Sequence, residues 1–354
     1  MKYPKILECT LRDGSYEIDF QFSKNDTVGI CSALDYCGFE LIEVGHGVGL
    51  GASERGIGVA LETDEVYMKA ASESVKKGNW GMFAIPGIAN LEHLTLAEYH
   101  GMDFVRLGST ISDFKKCEKF ISSAKNKSML TYVNFMKSYT VSPSKLAKAA
   151  KAAFEIGADA VYVVDSAGGM LPQEVTEYVQ AILAECPSLT VGFHGHNNLG
   201  LGVGNALAAI NAGAEIIDSS LQGFGRSAGN TSTEQIIGCL ARMGLEGKID
   251  PIQVMDLGEE LIKPLINKNG LSSIDTISGM SLFHSSYMPI IFEMSQKYKV
   301  DPRHLIISVC KEDTCNAPEE MVERHAIELL KIQKAKGHWK PSYKNYHVNE
   351  QVIL

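Results

Sequence analysis

The sequence predicts an α/β protein, a TIM-type (β/α)8 barrel followed by a C-terminal helical extension. Two observations lead to this prediction. Eight short apolar runs of strand length recur along residues 1–248, and the longer segments between them carry apolar residues at helical spacing. Several of the runs are apolar throughout, which is typical of parallel strands covered on both faces. Together these features favour a closed barrel over an open doubly wound sheet.

The predicted strands follow one another at intervals that leave room for a helix. They are residues 6–10, 41–45, 81–85, 104–107, 129–133, 160–164, 189–193 and 216–220. Helices are predicted at 144–156 and 173–185, where apolar residues repeat at the helical period. Beyond Gly247 the pattern becomes helical, and Pro251 and Pro302 are each placed for the first turn of a helix. We therefore predict a barrel domain over residues 1–248, a helical extension over 249–340 packed on it, and a tail over 341–354.

The composition describes a globular protein and excludes several classes of function. Hydrophobic residues make up 45% of the 354 residues, which is enough for a large core, and the formal net charge is −9. The basic residues are scattered, so we expect no nucleic-acid partner. No apolar stretch is long enough to cross a membrane. Eight cysteines without a paired framework, and no secretory signal at the N-terminus, predict a reducing, cytoplasmic setting.

Polar residues stand at the carboxyl ends of the predicted strands, where a barrel keeps its chemistry. They are Arg12, Asp13, His46, Arg106, Asp165, Ser166, His194 and His196. Because alternate residues of a strand point to the same side, His194 and His196 can reach one ion together with the Asp13 carboxylate. One carboxylate and two imidazoles suit Mn²⁺, Mg²⁺, Fe²⁺ or Zn²⁺. The alternative is that the two histidines are partly exposed and bonded to backbone or water.

Two neighbouring features each allow two interpretations. Arg12 is either a surface arginine paired with Asp13 or Glu8, or a cation that stabilises an oxyanion developing beside a metal. The second is favoured, because a guanidinium stays protonated and offers planar donors. Residues 45–53 contain a Gly-x-Gly-x-x-Ala pattern after a strand, as in dinucleotide-binding sites. More glycines follow instead of a clean helix start, so we predict a flexible loop covering the barrel mouth.

Several motifs resemble those of the metal-dependent 4-hydroxy-2-oxovalerate aldolases, members of a wider group of metallolyases that includes isopropylmalate synthase and HMG-CoA lyase. The motifs are Thr10-Leu-Arg-Asp-Gly-Ser15, Ile42-Glu-Val-Gly-His-Gly47, Asp165-Ser-Ala-Gly-Gly169, His194-Gly-His-Asn-Asn-Leu-Gly-Leu-Gly-Val203 and Gly223-Phe-Gly-Arg-Ser-Ala-Gly-Asn230. Their presence in this order is specific, whereas a barrel alone would not be. The resemblance covers the barrel and continues more loosely through residues 279–298.

The resemblance implies a class II aldolase that reversibly cleaves a 4-hydroxy-2-oxo acid to pyruvate and an aldehyde. By matching position, the metal ligands would be Asp13, His194 and His196, with Mn²⁺ expected first and Mg²⁺ or Co²⁺ as alternatives. The metal would act as a Lewis acid while the pyruvate enolate forms. Arg12 would stabilise the enolate oxygen, and Ser166 and His46 are assigned to substrate binding. Asn230 either braces this site or caps a helix.

Two positions depart from the family pattern. Tyr16 stands where the family has a histidine proposed as the base, and His284 aligns with a family tyrosine that reaches the active site. Ordinary pKa values of about 6.5 for histidine and about 10 for tyrosine favour histidine as the base. We therefore predict that His284 is the base and Tyr16 its hydrogen-bonding partner; the alternative gives the proton transfer to Tyr16. Val48 replaces an acidic residue of the family, which leaves the aldehyde side of the substrate open.

Two other functions stay open at this point. One is a Claisen-type acyl-CoA lyase or synthase, although such relatives carry Glu-Gln after Arg-Asp-Gly, and HMG-CoA lyases use a cysteine in the loop matching residues 223–230, which has none. The other is a non-catalytic metal-binding homologue. The expected partners are a 2-oxo acid such as pyruvate and an aldehyde, within a homo-oligomer. The family also docks an acetaldehyde dehydrogenase through its helical region, and residues 337–341 give no signal for or against that partner.

Overall fold

Eight parallel strands form one closed barrel in the computed structural model, which describes residues 2–245, 247–266 and 272–336. The strands are β1 (Lys5–Glu8), β2 (Leu41–Val44), β3 (Asn79–Ala84), β4 (Phe104–Ser109), β5 (Leu130–Phe135), β6 (Ala160–Asp165), β7 (Thr190–Gly195) and β8 (Ile216–Ser219). Each strand pairs in parallel with the next, and β8 pairs with β1. The predicted fold class is therefore confirmed, and only β8 separates the first strand from the seventh.

A helix follows each strand and covers the outside of the barrel. The helices are α1 (Lys24–Cys37), α2 (Asp64–Ser74), α3 (Leu91–Tyr99), α4 (Glu118–Asn126), α5 (Pro143–Glu155), α6 (Pro172–Glu185), α7 (Gly202–Ala212) and α8 (Thr233–Arg242). The Ser23 side chain caps α1 by accepting from the Asp26 N–H, and Ser142 caps α5 just before a proline in its first turn. The predicted helices at 144–156 and 173–185 are confirmed as α5 and α6.

The barrel interior consists of an apolar layer with a polar layer above it. Side chains such as Leu41, Phe104 and Tyr132 form a buried cluster inside the ring of strands. Two residues further along the same strands, and so on the same face, stand buried polar residues. These are Glu43 on β2, Arg106 on β4, Asn134 on β5 and Asp218 on β8. The polar layer therefore lies toward the carboxyl ends of the strands, directly beneath the barrel mouth.

Among the described residues, five further α-helices follow the barrel. They are α9 (Pro251–Leu257), α10 (Ser273–Ser281), α11 (Met288–Tyr298), α12 (Pro302–Cys310) and α13 (Glu319–Lys336). Pro251 and Pro302 open α9 and α12 as predicted, behind the capping carboxylates of Asp250 and Asp301. Helices α10 to α13 share a buried apolar cluster of their own. The boundary predicted after residue 248 stays a prediction, and the predicted tail, 341–354, lies outside the described residues.

Two general expectations concern the membrane and the thiols. In the part of the chain that the structure describes, no helix is long and apolar enough to cross a membrane. All eight cysteines are free thiols, in agreement with the absence of a disulfide framework.

Candidate active site

Asp13, His194 and His196 meet at the barrel mouth with their ligating atoms within 4.8 Å of one another. The Asp13 Oδ2 atom lies 3.8 Å from His194 Nε2 and 4.0 Å from His196 Nε2, and all three side chains are buried. Asp13 Oδ2 has no hydrogen-bond partner, although burial of an unsatisfied carboxylate oxygen is costly. Among the described residues this is the one such group of potential ligands. Its donors fit a divalent ion.

The contacts behind the two histidines set which ring nitrogen faces Asp13. His194 Nδ1 lies 2.8 Å from Asp218 Oδ2, and His196 Nδ1 lies 3.3 Å from the carbonyl oxygen of Gly229. A carboxylate and a carbonyl accept, so each ring donates its Nδ1–H to the group behind it and turns Nε2 toward Asp13. Metal-ligating histidines usually have such partners behind them. This arrangement turns both Nε2 atoms toward the Asp13 carboxylate; that of His196 also accepts from Arg226 Nη2 at 3.1 Å, a contact that a bound cation would replace.

Arg12 is held in place by two carboxylates. Its Nε donates to Glu43 Oε2 at 2.8 Å, its Nη1 donates to Asp13 Oδ1 at 2.7 Å, and its guanidinium lies 4.9 Å from the centre of the Phe83 ring. Burial alone would raise the pKa of Asp13, but the Arg12 charge holds it well below its ordinary value. The Asp13 carboxylate is therefore ionised and can bind a cation. Arg12 is buried, so it is not a surface arginine.

Arg106 lies inside the barrel rather than at a strand end. Strand β4 continues to Ser109, two residues beyond the predicted end, and the Arg106 side chain is completely buried. Its Nη1 donates to Glu43 Oε2 at 2.8 Å and its Nη2 donates to Asp218 Oδ2. Since Glu43 holds Arg12 and Asp218 holds His194, Arg106 connects the two sides of the site from below.

A cavity of about 480 Å³ opens above this network. The predicted site residues that line it are Arg12, Asp13, Tyr16, Ser166, His194, His196 and His284. Gly47 and Val48 of the glycine-rich loop also line it, so the loop lies at the barrel mouth as predicted. That loop leads into a short 3-10 turn, Ser53–Arg55, and not into an α-helix, which agrees with rejecting the dinucleotide site. A larger cavity, about 760 Å³, lies at the opposite end of the barrel and contains none of these residues.

His46 was predicted to bind substrate but does not line the cavity. Its ring stacks on Phe20 with centroids 4.0 Å apart, and its Nδ1 accepts from the Val48 N–H at 3.0 Å. Burial lowers the pKa of His46 to about 4, so the ring is neutral at physiological pH. These contacts describe a residue that supports the loop behind the cavity wall, and they provide no substrate contact.

Tyr16 and His284 reach the same cavity from opposite ends of the chain. Tyr16 packs edge-on against Phe20, and a Cβ at Gly47 would come within 2.5 Å of its ring, so this approach requires glycine. His284 begins a short turn of the helical extension, where its Nδ1 lies 2.7 Å from Ser286 Oγ and accepts from the Ser286 N–H at 3.1 Å. Burial lowers the pKa of His284 well below 6.5, and the charges of Arg226 and Lys137 lower it further.

Two cations of the cavity were missed by the sequence analysis. Arg226 follows β8, and its Nη2 lies 3.1 Å from His196 Nε2 while its Nη1 donates to Ser285 Oγ. Lys137 follows β5 and is 8% exposed. Arg226 stands inside a motif that carried the family resemblance, so its position offered a signal. The sequence analysis also missed the supporting carboxylates Glu43 and Asp218. Each is a single charged residue inside an otherwise apolar strand, and that pattern could have indicated them.

Asn230 supports the loop after β8 and does not cap a helix. The cap of α8 is Ser232, whose hydroxyl accepts from the Gln235 N–H, so the capping alternative for Asn230 was wrong. Its side chain is 2% exposed and lies over Cys9, with Nδ2 3.8 Å from the sulfur. Its backbone pairs with His196 in an isolated bridge. Asn230 therefore helps fix the segment that carries a candidate metal ligand.

Comparison with known proteins places these features among related chains. Residues 3–261 match the family model described as HMGL-like. A 4-hydroxy-2-oxovalerate aldolase from Carboxydothermus hydrogenoformans is 37% identical over 331 residues, which is 93% of this chain and 98% of that protein. A protein of the same name from Geobacillus genomosp. 3 is 36% identical over 94% of this chain and 98% of its own length. The crystal structure of HMG-CoA lyase from Brucella melitensis shares the fold, with a TM-score of 0.65 and 18% identity over 76% of this chain and 100% of that chain.

Proposed function

Because the chain belongs to the HMGL-like family, we propose that it is a divalent-metal-dependent aldolase that reversibly cleaves a 4-hydroxy-2-oxo acid into pyruvate and an aldehyde. The observation that carries this proposal is the buried group of Asp13, His194 and His196 with Arg12 beside it, at the mouth of the barrel. Relatives named 4-hydroxy-2-oxovalerate aldolase align over nearly the whole chain, which supports the same reaction class.

Asp13, His194 and His196 would hold the metal ion. Their mixed oxygen and nitrogen donors suit Mn²⁺ first, with Mg²⁺ and Co²⁺ as alternatives. A divalent ion bound there would supply Lewis-acid polarisation of the 2-oxo acid. The Asp218 carboxylate behind His194 makes that imidazole a better donor and fixes its orientation.

Arg12 would meet the negative charge that develops on the 2-oxo oxygen during cleavage. Its guanidinium cannot swing away, because Glu43 and Asp13 hold it at 2.8 and 2.7 Å. Donors fixed in advance stabilise a developing oxyanion without reorganising. The Ser166 hydroxyl, which accepts from the Lys137 N–H at 3.0 Å, keeps its own proton to donate to the substrate carboxylate.

His284 would take the proton from the 4-hydroxyl group. For this its Nε2 must carry the lone pair, so the ring proton must sit on Nδ1 and be accepted by Ser286 Oγ, which lies 2.7 Å away. The Ser286 N–H, which donates to Nδ1, favours the opposite tautomer. The tautomer of His284 therefore depends on which of the two Ser286 groups Nδ1 bonds, and the hydroxyl oxygen is the group that favours the tautomer able to act as a base. Tyr16 lines the same cavity and would orient the substrate hydroxyl by hydrogen bonding.

We expect His284→Ala to lower kcat by about 10²-fold or more, which is the usual contribution of a general base. Ser286→Ala, which leaves only the backbone N–H on Nδ1, should lower kcat in the same direction by a smaller factor. Tyr16→Phe should cost less than His284→Ala. Pyruvate release measured under steady-state conditions checks all three. Near-normal turnover of His284→Ala combined with a large loss in Tyr16→Phe would assign the base to Tyr16.

The pH profile offers an independent test of the base. A base with a lowered pKa stays neutral, and so able to accept a proton, until the pH falls below that pKa. We expect the acid limb of the kcat profile to lie below pH 6.5 and to be altered in His284→Ala. If the acid limb of the wild-type kcat profile lies at or above pH 6.5 and is absent from His284→Ala, the lowered pKa of His284 would be contradicted.

A direct assay tests the function itself. Pyruvate release should occur from 4-hydroxy-2-oxo acids with Mn²⁺, Mg²⁺ or Co²⁺, and should stop after chelation of the metal. Release of acetyl-CoA from an acyl-CoA substrate in its place would assign the Claisen-type alternative. A pure protein that binds a metal but turns over neither class would support the non-catalytic one. The homo-oligomer and the aldehyde dehydrogenase partner stay predictions, which light scattering of the protein alone and mixed with such a dehydrogenase would test.

A further inference from the structure

The lining of the cavity is more positive than a substrate with one carboxylate requires. Its positively charged side chains are Arg12, Lys137 and Arg226, and its negatively charged side chain is Asp13. The chain as a whole has a net charge of −9, so the excess of positive charge is a property of this cavity. Arg12 is already paired with Asp13 and with Glu43. Arg226 contacts His196 and Ser285, so Lys137 is the cation that remains to be explained.

Lys137 is a buried ammonium group held by neutral acceptors. Its Nζ donates to the Tyr287 hydroxyl at 3.0 Å and to the Cys315 carbonyl oxygen at 2.7 Å, and it lies 4.6 Å from the centre of the Tyr287 ring. In residues 2–245, 247–266 and 272–336, no carboxylate lies within ion-pair distance of it. An ammonium group has three donors, and these two acceptors use two of them.

Energy and backbone geometry both indicate a ligand at this lysine. Burying a charge without a counter-charge is costly, and an oxyanion arriving in the cavity would repay that cost. Lys137 also has a φ of 56° and a ψ of 45°, a left-handed conformation that non-glycine residues adopt only when their surroundings enforce it. Such conformations concentrate at functional sites, where they aim a side chain.

The two cations serve different ends of the cavity. Arg226 Nη2 lies 3.1 Å from His196 Nε2, beside the candidate metal ligands, where the 2-oxo acid end of the substrate would lie. Arg226 also contacts the helical extension, at Ser285. The Lys137 ammonium, however, has both of its acceptors there, Tyr287 and Cys315. It is therefore placed for a group at the far end of the substrate, on the half that becomes the aldehyde.

We propose that the substrate carries a second carboxylate on its aldehyde-derived half and that Lys137 binds it. The substrate is then a 4-hydroxy-2-oxo dicarboxylic acid, and this assignment rests on the proposed function. In the cleavage, the C3–C4 bond breaks and its electrons form the pyruvate enolate. The 4-hydroxyl proton passes to the base, C4 becomes the aldehyde that carries the second carboxylate, and the enolate then takes up a proton at C3.

Binding tests the proposal without turnover. With Mn²⁺-loaded protein, 2-oxoglutarate should bind at least about tenfold more tightly than 2-oxopentanoate, which has a methyl group in place of the distal carboxylate. Lys137→Met should abolish this preference and leave 2-oxopentanoate binding within about threefold, which is under 0.7 kcal/mol. Lys151→Met, at an exposed lysine on α5, is the matched control and should keep it. Equal affinities in the wild-type protein would overturn the proposal.

A purely structural role for Lys137, holding Tyr287, needs its own control. Tyr287→Phe removes the hydroxyl acceptor but keeps the cation, so it should retain the preference for the dicarboxylic acid. If Tyr287→Phe and Lys137→Met lose the preference equally, Lys137 acts only through Tyr287 and the anion-binding role fails. Lys137→Arg, which keeps the charge, should retain part of the preference.

Turnover in the synthetic direction provides the second readout. With pyruvate, glyoxylate, whose aldol product carries the second carboxylate at the same carbon as 2-oxoglutarate, should have a kcat/KM at least about tenfold above that of its neutral methyl ester, and Lys137→Met should remove the difference. A phosphorylated aldehyde preferred over both would overturn the assignment of a carboxylate. Pyruvate consumed with neutral aldehydes alone would overturn this inference and leave the proposed function intact. If no aldehyde reacts, the proposed function fails, and the binding comparison still decides the role of Lys137.

Discussion

Replacing Asp13 by asparagine should remove the metal ion and nearly all activity. The substitution keeps an oxygen for Arg12 Nη1 but removes the negative charge that faces the two Nε2 atoms. We expect the dialysed variant to retain little Mn²⁺, and kcat/KM to fall by on the order of 10³-fold, since a Lewis acid contributes several kcal/mol of transition-state stabilisation. Metal content by mass spectrometry and steady-state pyruvate release check this prediction.

The control for Asp13→Asn is Asp256→Asn, at an exposed carboxylate on α9. It should bind metal and turn over substrate as the wild-type protein does. Circular dichroism should show both variants folded, which separates loss of the metal from loss of the structure. An Asp13→Asn protein with full metal content and wild-type kcat/KM would refute the assignment of Asp13 as a ligand.

Replacing Arg106 by methionine should strongly destabilise the barrel. Methionine fills much of the same space but leaves Glu43 and Asp218, both fully buried, without their shared cation. Removing one partner of a buried ion pair costs about 3–5 kcal/mol. We expect a thermal unfolding midpoint lower by roughly 5–10 °C or more, measured by calorimetry. Weaker metal binding should accompany it, because Glu43 and Asp218 hold Arg12 and His194.

Arg324→Met is the matched control for this change. Arg324 pairs with Glu312 on an exposed surface of the helical extension, where such a pair contributes about 0–1 kcal/mol. Its unfolding midpoint should stay near the wild-type value. If Arg106→Met were as stable as wild type, the buried carboxylates would have to be compensated elsewhere, and Arg106 would not be what holds the two sides of the site together.

Much of the fold could be predicted because its determinants are local in the chain. The apolar runs and helical spacing marked the strands and helices, and Pro251 and Pro302 marked the starts of α9 and α12. Strand ends were less certain because the signal weakens where polar residues enter a strand. The fourth strand was predicted to stop at Leu107, whereas β4 continues to Ser109, so Arg106 was placed at a strand end and not inside the barrel.

The candidate ligands could be found because a barrel converts sequence position into spatial position. His194 and His196 stand at the end of one strand, where the alternation of side chains points both to the same face. Closure of the barrel then brings them close to Asp13. No such rule covers the helical extension. Arg226 and Lys137 depend on how residues 284–287 pack over the barrel mouth, which no local pattern encodes. His46 shows the reverse, since it follows a strand end yet packs on Phe20 behind the cavity wall.

By itself, then, the sequence determined the barrel, the three candidate metal ligands and Arg12, and by resemblance the reaction class. The tertiary structure alone decided that Arg106 joins Glu43 to Asp218 beneath the site, and that Lys137 and Arg226 make the cavity cationic. The physical reason is the range of the interactions. Periodicity and capping act over a few neighbouring residues, whereas a buried charge takes its partners from strands and helices that only folding brings together.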